Sequence, residues 1–172
     1  MFKLIAAASV SSFFFGLFGV SWESVDEKIQ SEFPGVQSVS TDVVFTWFEV
    51  SDVKRPIIVD VRKDVEFRVS HLDNALHLES AEAISSVISE RGLGKDTEII
   101  VYCSVGYRSA SVAAELQARG FTKVLNLEHS LFEWANKGYP MTGASGSTDK
   151  VHPFSKAWSA LVDDSLHAYP DE

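Results

Sequence analysis

Thiols are nearly absent from this sequence: among 172 residues there is one cysteine, Cys103. A single thiol excludes an intramolecular disulfide, and it excludes any zinc or iron–sulfur site that needs several thiolates from one chain. Positive charge is also scarce, with 15 Lys and Arg against 24 Asp and Glu and a formal charge of −9. That balance opposes the phosphate attraction behind most non-specific nucleic-acid affinity, so nucleic acid is not an expected partner. The five histidines, His71, His77, His129, His152 and His167, form neither an H-E-x-x-H pair nor a compact cluster at ligand spacing, and no metal site is expected. What the chain does have is apolar content: 45% hydrophobic and 12% aromatic residues place it among globular proteins that bury a core.

The apolar residues are unevenly spread. Met1 to Trp22 carries one lysine, then an uncharged stretch from Leu4 to Val20, with the first acid at Glu23. This is the layout of a signal peptide or signal anchor, short for a bilayer span, and it predicts an exported, periplasmic or membrane-anchored protein. Gly19 and Ser21 are small enough for the −3 and −1 positions of a cleavage site. Without such a signal function the protein would be cytoplasmic. Residues 23–141 then read as one domain with an entry helix, and residues 142–172 as a tail.

Within the domain, Ser24-Val25-Asp26-Glu27 has the form of a capping box opening a helix that stops at Pro34-Gly35. Val36 to Ser40 reads as a short strand, followed by a helix capped by Ser40 or Thr41. Two mainly apolar runs, Ile57 to Val61 and Glu98 to Cys103, suit parallel strands buried on both faces. A third, Lys123 to Leu127, follows at similar spacing. Helical stretches Ala81–Arg91 and Ser109–Arg119, each stopped by a glycine, separate the three runs, which is the alternation of βαβ units. In the tail, 142–148 reads as a soft linker, and Pro153 to about His167 as an amphipathic helix with Phe154, Trp158, Leu161 and Val162 on one face.

Cys103 ends the second run, and Ser104, Val105, Gly106 and Tyr107 separate it from Arg108, where the next helix starts. A loop between a buried strand and a helix N-terminus can turn its amides inward and cradle an anion. Such surroundings lower a thiol pKa from about 8.5 toward neutrality. Gly106 supplies the positive φ a tight cradle needs. Arg108 can hold a charged substrate or brace the loop carbonyls with its planar fork, and the substrate role is the one expected because amides alone suffice for a cradle.

Three segments together resemble the single-domain rhodanese family of sulfurtransferases: "IIVDVRKDVEFRVSHLDNALHL", "VYCSVGYRS" and "LNLEHSLFEWANKGYPM". The likeness covers Val36 to about Met141. It implies a three-layer α/β fold, a five-stranded parallel sheet with helices on both faces, the fifth strand falling at Ala75–Leu78. It implies Cys103 as the sulfur acceptor, with Asp60, Arg62, Glu66 and His71 in the signature near the site. Read from the residues alone, Asp60 and Arg62 suit a pair with each other, and His71 suits a hydrogen-bonded loop position. The chain departs from the pattern at Ser70, Asp73 and Asn74, and at Glu128-His129-Ser130, which replaces the usual glycine pair beside the site; His129 is therefore expected to alter substrate access.

The resemblance implies no cofactor. It implies a small-molecule sulfur donor such as thiosulfate or a persulfide, and a thiophilic acceptor that could itself be a protein. Phosphatases of the same fold carry five residues between Cys and Arg, whereas this loop has four. The alternative of another class is a sulfur carrier without turnover, or a docking module at the cell envelope, with residues 4–20 as the membrane anchor.

Overall fold

The computed structural model describes residues 19–50 and 55–169. Residues 1–18, on which export or anchoring mainly rests, lie outside them. Among the described residues no helix is long and apolar enough to cross a membrane.

The three apolar runs become strands β2 (Ile57–Asp60), β4 (Ile99–Tyr102) and β5 (Val124–Leu127), joined in one parallel sheet by the short strands β1 (Gln37–Val39) and β3 (Leu76–His77). The order is β1-β5-β4-β2-β3, with Ile58 opposite Ile100 and Ile100 opposite Leu125. All four residues of β4 are buried. Alternation along β4 sends Ile100 and Tyr102 into one core, and Ile99, Val101 and Cys103 into the other. Each buried aliphatic side chain contributes about 1.5–3 kcal/mol, so a strand covered on both faces is strongly held in register.

Helices α1 (Trp22–Glu32), α2 (Thr41–Glu49) and α6 (Ser130–Asn136) cover the first face through Val25, Val44, Leu131 and Trp134. On the second face α4 (Ala81–Glu90) and α5 (Tyr107–Ala118) contribute Ile84, Ile88, Val112 and Leu116. The short α3 (Asp64–Val69) connects β2 to β3. This is the three-layer α/β arrangement that the sequence predicts, and it places the residue after β4 at the carboxyl edge of the sheet, where open α/β folds bind ligands.

Two elements differ from the sequence reading. The first is α1, which is capped by Ser21 rather than Ser24. The Ser24 amide donates to Ser21 Oγ at 3.3 Å, and the Ser21 amide donates to Ser24 Oγ at 3.1 Å. Two serines three apart close the box reciprocally, and Val20 and Trp22 pack on the core, so the helix begins before Glu23.

The second is the tail. In place of the expected linker, β6 (Met141–Gly143) and β7 (Gly146–Thr148) form an antiparallel hairpin, anchored where His71 and Thr142 exchange backbone hydrogen bonds of 2.8 and 2.9 Å. Gly143 is required there, because a Cβ would lie 2.7 Å from the Val69 carbonyl. The expected helix over Pro153–His167 is replaced by 3-10 turns at Ser159–Leu161 and Asp164–Leu166. Phe154 takes a positive φ of 62° and Val162 is extended, both incompatible with one continuous helix. The apolar spacing is satisfied differently: Leu161 and Val162 are buried, and the Asn136 side chain ties Leu161 O and Asp163 N at 2.9 and 3.0 Å.

Candidate active site

Cys103 follows β4 directly and is 1% exposed. Three carbonyls of the loop segment are held by partners outside it. Cys103 O accepts from Leu131 N at 3.2 Å and Ser104 O from Phe132 N at 2.9 Å, both in the first turn of α6. Gly106 O accepts from Ala110 N at 3.0 Å and Asn126 Nδ2 at 3.1 Å. The amides are left to the inside, where Gly106 N–H donates to Cys103 Sγ at 3.2 Å. Gly106 sits at φ 98° as the N-cap of α5, the conformation expected of it.

Burial pushes the Cys103 thiol up, but the Arg108 charge, the Ser109 side chain and the amides of Ser109 and Val105 outweigh it and hold the thiol below its ordinary range. The cradle therefore stabilises the thiolate.

Arg108 contributes charge without offering its fork. Its two terminal nitrogens reach Glu66 Oε2 at 2.8 Å and Oε1 at 2.7 Å, and Nη2 also reaches Ser104 Oγ at 3.0 Å. Neither expected job, substrate clamp or brace of loop carbonyls, matches this geometry; the fork is committed to a buried carboxylate. Glu66 further accepts from Ser104 Oγ at 2.9 Å and from Lys63 N at 3.1 Å. Burial raises its pKa, and Arg108 more than reverses this, keeping it below the usual carboxylate range.

Asp60 and Arg62 pair with each other at the end of β2, fully buried, through contacts of 2.7–3.1 Å. Arg62 also donates to Ser70 O. His71 is a hydrogen-bonded loop residue, its Nδ1 3.0 Å from Phe67 O and its ring stacked on Phe67. Arg62 and His71 thereby tie the end of α3, through Ser70 O and Phe67 O.

The loop before α6 keeps a glycine-like backbone without glycines: His129 and Ser130 have φ of 54° and 49°. Left-handed geometry costs about 1–2 kcal/mol for each such residue. Specific contacts offset it. Ser130 Oγ donates to Leu127 O at 2.9 Å and accepts from Cys103 N at 3.1 Å. His129 stacks on Trp22 at 4.3 Å, with Nε2 3.1 Å from Asp26 and Nδ1 3.3 Å from Glu133. Its ring nitrogens are thus turned to α1 and α6, and the residue of this pair that reaches the Cys103 backbone is Ser130. Asp26, Glu128 and His129 form a trio whose ligand atoms lie within 4.8 Å of one another, two of them joined by the His129–Asp26 ion pair.

Two site neighbours escape the sequence reading. The Phe154 ring lies over the Arg108 guanidinium, 4.3 Å from centroid to carbon. His152 Nδ1 accepts the Phe154 N–H at 3.0 Å. Nothing local in "VHPFSK" marks them; the apolar spacing that groups Phe154 with Trp158 and Leu161 points instead to a helix face.

Residues 49–137 match the rhodanese-like domain family. A protein of Allochromatium vinosum described as a sulfurtransferase is 31% identical over 97 residues, 56% of this chain and 88% of its own length. The tRNA uridine(34) hydroxylase of Escherichia coli is 30% identical over 84 residues, 47% of this chain and only 24% of the hydroxylase. The rhodanese-like domain of an Anabaena protein superposes with a TM-score of 0.54 at 24% identity, over 62% of this chain and 78% of that one, a likeness of fold. With a parallel five-stranded sheet and a lone thiol in the loop after β4, this chain belongs to the rhodanese-like domain family of sulfurtransferases.

Proposed function

We propose that the protein is a sulfurtransferase that carries sulfane sulfur on Cys103. The observation that carries this reading is the thiol itself: a buried sulfur facing inward-turned amides, held below its ordinary pKa range. In the first step the thiolate attacks the outer sulfur of the donor. The new S–S bond forms as the donor's own bond breaks, and the donor leaves with the electron pair, as sulfite from thiosulfate or as a thiolate from a persulfide. Cys103 then holds a persulfide whose terminal charge lies in the cradle. In the second step a thiophilic acceptor attacks that terminal sulfur and the Cys103 thiolate departs. No external oxidant is consumed, and the four-residue loop suits one sulfur atom better than a tetrahedral oxyanion.

Intact-mass measurement after incubation with thiosulfate or cysteine persulfide tests the reading. The wild type gains one sulfur atom and loses it to an acceptor over repeated cycles, while Cys103→Ala gains none. Sulfur retained by Cys103→Ala would overturn the proposal, since the chain has no other thiol. Loading without repeated release would identify a carrier instead of a catalyst.

A further inference from the structure

The segment after the family match ends at residue 137 returns to the site. Val151 is buried and held through its amide to Leu166 O at 2.8 Å and through its carbonyl to Ala168 N at 3.0 Å. From that anchor the chain passes His152 and Pro153 and sets Phe154 at φ 62°, a region that bulky side chains rarely enter. The result of the unusual backbone is a ring placed 4.3 Å from the Arg108 guanidinium carbon.

We propose that Phe154 is a donor-selecting residue, closing the positive face of Arg108 and so turning doubly charged anionic donors away from Cys103 in favour of less charged, organic sulfur donors. This rests on the sulfurtransferase reading for the identity of the donors, but the charge selection concerns access to the thiol as such.

The geometry of Arg108 carries the argument. A guanidinium has an edge that donates hydrogen bonds and two faces that attract electrons. The edge is committed to both oxygens of Glu66, and the guanidinium carbon lies over the Phe154 ring, 4.3 Å from its centroid. The Arg108 side chain keeps 29% exposure, so these two partners narrow the approach of an arriving anion to its charge. The remaining loop side chains, Ser104, Val105 and Tyr107, are neutral. His152 adds no charge either, because the Phe154 amide can only donate, which makes Nδ1 a lone-pair acceptor on a neutral ring. Phe154 itself is 41% exposed, so it presents an apolar surface where an unshielded cation would otherwise stand.

The lone thiol makes the test direct. Cys103 is alkylated with iodoacetate, an anion, and with iodoacetamide, which is neutral; the ratio of the two rates reports charge selection and cancels any change in thiolate fraction. Phe154→Gly, whose backbone suits a positive φ, and Phe154→Ala are both expected to raise the iodoacetate-to-iodoacetamide ratio about two- to five-fold, the factor that a surface cation–π contact represents. Phe154→Trp keeps the wild-type ratio. In parallel, sulfur loading from thiosulfate should rise in Phe154→Gly relative to loading from cysteine persulfide. An unchanged alkylation ratio in folded Phe154→Gly overturns the selection role whatever the enzymology shows. A raised ratio in a protein that loads no sulfur from any donor upholds selection and removes the sulfurtransferase reading.

Discussion

Arg108 gives both terminal nitrogens to the two oxygens of Glu66, a residue 42 positions earlier in the chain. A carboxylate 1% exposed is thereby neutralised by the cation that also stabilises the Cys103 thiolate. The two groups act in opposite directions on the sulfur, and their removal should have opposite effects. Glu66→Gln keeps some hydrogen bonding and leaves the Arg108 charge uncompensated, so the alkylation pH profile of Cys103 shifts to lower pH. Arg108→Ala strands a buried carboxylate, costs about 3–5 kcal/mol in denaturant unfolding, and shifts the profile to higher pH. Arg108→Lys retains charge but cannot span both oxygens, and falls between wild type and Arg108→Ala in stability. Near-wild-type melting of both Arg108 variants, with only KM altered, would show that the fork serves substrate.

His129 supplies a pH dependence. Burial opposes its charge, but Asp26 and Glu133 together raise its pKa above the ordinary imidazole value near 6.5. A raised folded-state pKa means the folded protein binds the proton more tightly than the unfolded chain. The stabilisation is therefore fully present below about pH 6.5 and is lost as pH rises through the folded value. His129→Gln should cost about 0.5–1 kcal/mol on the acid side, and the difference from wild type should shrink toward alkaline pH. Urea titrations at closely spaced pH values check this, and a difference that grows with pH would contradict the ion-pair assignment.

The cap of α1 bears on where the amino-terminal segment can be removed. A chain beginning at Gly19 retains the reciprocal Ser21–Ser24 box, whereas one beginning at Trp22 loses it. Losing a serine N-cap costs about 1 kcal/mol, and a charged amino group at the helix start adds unfavourably to the dipole. The longer truncation should melt at the lower temperature. Equal melting temperatures would show that the box contributes nothing measurable.

Strands β2, β4 and β5 are legible in the sequence because a strand buried on both faces is mostly apolar, and Ile57–Val59 and Ile99–Val101 have little other use; the buried Asp60 and Asn126 are each satisfied by hydrogen bonds. Cys103 and Gly106 are legible for a local reason as well: the thiol stands where such a run ends, and glycine follows at the position with φ 98°. The pairing of Glu66 with Arg108 is written nowhere locally, since it depends on β2 and β4 being neighbours. At α1, Ser21 and Ser24 each satisfy the local pattern of a cap, and the choice between them is made by the packing of Val20 and Trp22. The tail misleads because spacings of three and four residues fit 3-10 turns and a helix alike, and only tertiary partners such as Asn136 select between them.

The hydrogen bonds from Leu131 and Phe132 to the carbonyls of Cys103 and Ser104 make the first turn of α6 the outer wall of the cradle. The loop cannot rotate its amides away from the sulfur without first releasing that helix, and the helix cannot detach without turning those carbonyls loose. The geometry of the cradle and the folding of residues 129–137 are therefore one cooperative unit. The thiol's environment is thus fixed by the fold itself, and local unfolding of α6 would dissolve the cradle around the sulfur.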